Sequence, residues 1–83
     1  MNIKQEITAI LDDVLHLKGR AAKFDTDTPL LGAIPELDSM AVVAVLTALE
    51  ERFGFTVEDD EIDGSMFATV GDLTDFVAGK VTA

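Results

Sequence analysis

The chain has 83 residues, 48% apolar and 27% charged, with a net charge of −10 and no cysteine. This reads as one globular domain over residues 1–83, small enough to bury only a little over ~60% of its unfolded surface. The charge argues against nucleic acid and anionic lipid, whose binding draws on Lys and Arg, and the missing cysteines exclude disulfides and any thiol chemistry from the chain itself. The acidity is uneven: residues 1–35 hold five acids against four bases, and residues 36–83 eleven against two, Arg52 and Lys80. Basic protein surfaces are the natural partners of such a surface. The first residues lack the basic-then-apolar build of a signal peptide. The longest apolar stretch, residues 40–49, is half the ~20 needed to span a bilayer. A monomeric, cytoplasmic protein without membrane insertion is expected.

Residues 2–17 predict a first helix. Asn2 is a cap with Gln5 three residues on. Ile3, Ile7, Ile10, Leu11, Val14 and Leu17 form one stripe, with Leu15 at its edge and Gly19 as the stop. His16 and Asp12 stand at i and i−4, the spacing of a surface pair. Residues 18–37 predict a long loop packed down by Phe24, Leu30, Leu31, Ile34 and Leu37.

A second helix is predicted over residues 39–53. Asp38 is a strong N-cap type, Ser39 takes the first helical position, and Gly54 supplies the stop. A hydroxyl at Ser39 therefore sits at the positive end of a helix dipole, where a phosphate ester is well placed. Met40, Val42, Val43, Val45, Leu46, Leu49 and Phe53 exceed a single stripe. This helix is either buried on more than one side or shows an apolar face to partners. A short acidic helical turn is expected near residues 58–62, with Ile62, Met66 and Phe67 pointing inward. The last helix is predicted from Thr69, a good N-cap with Asp72 three residues later, and buries Val70, Leu73, Phe76, Val77 and Val81.

Two sharper chemical readings fail on pattern. Residues 59–64 begin like a calcium loop, but the twelfth position is Val70 where a bidentate Glu is needed. Ser39, His16 and Asp12 supply the residue types of a hydrolytic triad, but Ser39 lacks the Gly-x-Ser-x-Gly elbow. The chain reads as no enzyme.

Three stretches together resemble the acyl carrier proteins: Asp38-Ser39-Met40, the helix ending Leu49-Glu50-Glu51-Arg52-Phe53-Gly54, and Phe67-Ala68-Thr69-Val70-Gly71-Asp72-Leu73. Asp27-Thr28-Pro29-Leu30 is similar to an Asp-x-x-Leu stretch of that family's first loop. The resemblance implies an all-α four-helix bundle with one short helix and a long loop between helices one and two. It also implies 4′-phosphopantetheine, delivered from coenzyme A by a phosphopantetheinyl transferase onto Ser39. The arm's thiol holds an acyl group as a thioester for acyl-transferring or acyl-activating enzymes. Asp38 and Met40 would flank the attachment, and Ala44, Val45 and Ala48 would leave room for an acyl chain between helices. The sequence departs from the family in two places. Met40 stands where the family's tripeptide has Leu, and Ala41, Ala44 and Thr47 stand where carriers often place acids, so partners reading this helix would meet an apolar surface. Residues 35–40 are also similar to carriers of bacterial exopolysaccharide and exosortase-associated gene clusters. An unmodified acidic interaction module with the same fold, and a peptidyl or aminoacyl carrier, are the other readings.

Overall fold

The computed structural model describes residues 2–82. Three α-helices carry the fold: α1 (Ile3–Leu15), α2 (Ser39–Phe53) and α3 (Val70–Thr82). Single turns of 3₁₀ helix lie at Arg20–Lys23, Asp59–Glu61 and Gly64–Phe67. The expected helical bundle is present, with the short helix realised as the last two of these turns. Glu58 and Glu61 are like charges at i and i+3, which disfavours a longer helix there. Asp63 instead accepts from the Ser65 amide at 2.9 Å and opens the next turn.

Apolar stripes from all three helices meet in one core. Ile7 and Leu11 of α1, Val45 and Leu49 of α2, and Val70, Leu73 and Val77 of α3 are fully buried. Phe67 and Leu30 close that core from the connecting segments. No described helix is long and apolar enough to cross a membrane.

The first helix is shorter than its periodicity suggests. Asn2 caps it through the Gln5 amide at 3.1 Å. It stops at His16, in the left-handed conformation at φ 56°, rather than at Gly19. Asp12 causes the early stop. Its carbonyl closes the last ordinary helical bond with the His16 amide and also takes the Leu17 amide at 3.0 Å. Its carboxylate gathers the Gly19 and Ala21 amides at 3.1 and 3.2 Å, an example of a side chain competing with the helix for backbone donors. The expected His16–Asp12 surface pair is thereby replaced, because the carboxylate serves backbone donors. Leu15, expected at the edge, is buried, and Leu17 reaches the core from beyond the helix.

The long loop is stitched to the start of α3. The amides of Leu30 and Leu31 donate to the carbonyls of Ala68 and Phe67 at 3.0 and 2.9 Å, and those of Val70 and Gly71 to Thr28 and Thr26 at 3.0 and 2.8 Å. Pro29 and Thr69 form an isolated antiparallel bridge between them. Leu30 and Leu37 pack inward as expected, and Phe24 and Ile34 pack partly. Leu31, Ile62 and Val81 were expected inside and are exposed. A pattern of apolar positions gives the inward side of a segment but not how far the core extends along it.

Thr69 starts α3. Its Oγ1 accepts from the Asp72 amide and donates to the Asp72 carboxylate, both at 3.1 Å. Glu6 of α1 and Arg52 of α2 are joined across the bundle, with Arg52 Nε donating to Glu6 Oε2 at 2.6 Å. Lys80 pairs with Glu61, and its ammonium lies 5.8 Å from the centre of the Phe76 ring.

Candidate functional site

Asp38 begins the site because it is the last extended residue before α2, at φ −101°. Its carboxylate accepts from the Ala41 amide at 2.8 Å, and its carbonyl accepts from Val42 at 2.9 Å. The second of these is the first ordinary helical bond, so one of the four orphan amides at the helix start, that of Ala41, is satisfied by the cap. Those of Ser39 and Met40 have no acceptor among the described residues. Ser39 is the first helical residue and is exposed.

The helix divides its apolar residues between two faces. Val45, Leu46 and Leu49 turn into the core. Met40 is 81% exposed and Val43 58%, and Ala44 and Thr47 share the exposed side. Of the two possibilities the sequence leaves for this helix, an apolar face turned outward is the one realised. Ala44 therefore cannot line an interior space for an acyl chain. A shallow groove does exist, but it lies between α1 and the 20–23 turn, bordered by Gln5, Thr8, Asp13 and Ala22. The helix ends at Gly54 in the left-handed conformation at φ 74°, a geometry that costs little without a Cβ.

The approach to Asp38 is held by a pair that sequence reasoning missed. Arg20 donates to Glu36 Oε2 through its guanidinium and to the Leu17 carbonyl through Nε at 3.1 Å. The Arg20 hydrogen bond holds the Glu36 carboxyl below the usual carboxylate range. Glu36 Oε1 is covered and has no hydrogen-bond partner among the described residues. Arg20 and Lys23 lie three apart in a 3₁₀ turn, a spacing that places both on one side of it. Only the 16-residue separation of Arg20 and Glu36 hides this pair in the sequence. The third residue considered for a triad, His16, is exposed at the end of α1.

The family defined by the phosphopantetheine attachment site matches residues 5–77. An acyl carrier protein of Prochlorococcus marinus is 33% identical over 79 residues, 94% of this chain and 91% of that protein. One from Acidothermus cellulolyticus is 42% identical over 48 residues, 58% of this chain and 55% of that protein. With that relative and one from Beutenbergia cavernae, where the figure is 51%, the chain aligns over about half of the relative's length. Among solved structures, the holo acyl carrier protein of Nitrosomonas europaea is 49% identical, superposes with a TM-score of 0.92, and is covered completely by this chain, which it covers completely in turn. This chain belongs to the acyl carrier protein family.

The matched family is defined by a phosphopantetheine attachment site, and the Nitrosomonas europaea neighbour is a holo protein. The residues at the start of α2 fit that group. An exposed hydroxyl, two free amides and the positive end of a 15-residue helix converge there, the arrangement that stabilises a phosphate. Met40 and Val43 offer apolar contact beside it.

Proposed function

We propose that Ser39 is the attachment point of 4′-phosphopantetheine and that the protein carries acyl groups between enzymes in the cytoplasm. The supporting observation is the exposed Ser39 hydroxyl at a helix start whose cap, Asp38, is already engaged with the Ala41 amide. Ser39 Oγ supplies the nucleophile: it loses its proton and bonds to the pantetheine-side phosphorus of coenzyme A, the pyrophosphate bond breaks, and the adenosine bisphosphate part leaves. Asp38 fixes the first turn so that the hydroxyl is presented in one place. When attached, the arm supplies the thiol that holds the acyl group as a thioester. Tethering raises the local concentration of that group at each partner without any new contact.

Partners dock on the exposed side of α2. Met40, Val43, Ala44 and Thr47 give it an apolar centre, and Asp38 and Glu51 are exposed on the same helix and its cap. A partner with an apolar patch rimmed by basic residues complements this surface.

The test is intact-protein mass after incubation with coenzyme A, magnesium and a broad-specificity transferase. A gain of one phosphopantetheine on Ser39, absent in S39A, is expected. S39A should keep its fold, since Ala suits a first helical turn. Unchanged mass with several transferases would overturn the attachment and favour the unmodified interaction module.

A further inference from the structure

Met40 and Met66 have opposite surroundings. Met66 is 7% exposed, and its sulfur accepts from the Asp63 amide at 3.5 Å. Met40 is 81% exposed, directly follows Ser39, and stands one turn before the exposed Val43. Thioether oxidation follows access to oxidant, so a peroxide in solution reaches Met40 before Met66. Leu, the residue of the family tripeptide at this position, offers no such chemistry.

We propose that Met40 is a site of reversible oxidation that weakens docking at the attachment serine. The inference rests on the reading of Ser39 and α2 given above. The Met40 sulfur attacks one oxygen of a peroxide, and the O–O bond breaks. Sulfur gives up two electrons and gains that oxygen, and the other oxygen leaves as water. The product replaces a flexible apolar contact with a strong hydrogen-bond acceptor. In solvent the sulfoxide is satisfied by water. Beneath a partner's apolar patch it loses that water and costs affinity. Because Met40 contributes nothing to the core, the fold survives the change. A methionine sulfoxide reductase restores the thioether and leaves water, with electrons from a thiol pair that becomes a disulfide.

The test treats the unloaded carrier with hydrogen peroxide, removes the peroxide, and locates added oxygen by fragment mass. Steady-state loading with coenzyme A and a transferase follows, before oxidation, after it, and after reductase with thiol. Met40 should oxidise well before Met66, and kcat/KM should fall about tenfold, mainly through KM, if the lost contact is comparable to one buried apolar side chain. Helicity and melting should hold, and reductase should restore loading. M40L, compared only with its own untreated rate, should show no peroxide effect.

Equal oxidation of Met66, an oxidised carrier that loads at the untreated rate, or oxidation that melts the protein would each overturn the proposal. An untreated carrier that never loads at Ser39 would overturn the attachment reading and this one with it. Normal loading that is indifferent to oxidation would remove this one alone.

Discussion

The amide of Gly71 donates to the carbonyl of Thr26 at 2.8 Å, and the approach leaves no room for a side chain at position 71. A Cβ there would lie 2.5 Å from Thr26 Cγ2 and 2.9 Å from the Thr26 carbonyl oxygen. Both distances are shorter than van der Waals contact. The contact closes the stitch between the first loop and α3, and the same loop leads on to Asp38 and Ser39.

Gly71→Ala is therefore expected to destabilise the protein even though Ala is the better helix former. The helix gains about 1 kcal/mol from the exchange. Overpacking against backbone costs about 1–3 kcal/mol, and the fixed Thr26 carbonyl places this site toward the upper end. A net loss of about 1–2 kcal/mol should lower Tm by roughly 4–8 °C per kcal/mol in a domain of this size. T26S in the G71A background removes the Cγ2 contact and should recover part of the loss. A G71A protein as stable as the parent would show that the loop moves away freely.

Capping and negative charge at Asp38 can be separated by substitution. D38A removes the acceptor of the Ala41 amide and should cost about 1 kcal/mol, read from the denaturation midpoint. D38N keeps a capping oxygen and should regain most of that stability. Loading that stays slow in D38N after stability has returned would assign the negative charge itself a part in transferase recognition. Loading that follows stability in both variants would leave Asp38 as a cap.

The ends of α2 were legible because their causes are local. Asp38 lies directly before the helix and Gly54 directly after it, and both act within one turn. The resemblance likewise drew attention to Ser39 through neighbouring residues. The stitch of residues 26–31 to 67–71 was invisible, because backbone pairing between loops leaves no periodic trace. The Arg52–Glu6 bond spans 46 positions and was hidden for the same reason. The early end of α1 was missed because the Asp12 carboxylate gives the Gly19 and Ala21 amides an acceptor outside the helix, a competition that propensity does not resolve. Met40 and Val43 were legible as apolar residues in excess of one stripe. Which way they faced depended on where α1 and α3 pack, and that required the fold.

Glu36 should titrate below the usual carboxylate range, since the Arg20 hydrogen bond favours its charged form. A lowered folded-state pKa adds stability that is present above the ordinary glutamate range and is lost as pH falls through the lowered value. The stability gap between the parent and E36Q should therefore be open at neutral pH and close on acidification. Carboxyl chemical shifts in an NMR titration read the midpoint directly. R20Q should return it to the ordinary range, and high salt should reduce the shift because the pair is exposed. A Glu36 midpoint unmoved by R20Q would remove Arg20 as the cause.

Val43 tests whether partners read the exposed side of α2 by apolar contact or by charge. It is 58% exposed, so V43E and V43K should change stability by no more than about 0.5 kcal/mol. If docking is apolar, either charge must be desolvated beneath the partner, and both variants should raise KM for loading while kcat changes little. If a basic partner surface reads charge along this helix, V43E should strengthen docking and V43K weaken it, with the difference shrinking as salt rises. The apolar face of Met40 and Val43 leads to the first outcome. The measurement is a pair of KM values for each variant at low and high ionic strength. Opposite signs for Glu and Lys would move recognition from the apolar centre to the acidic rim.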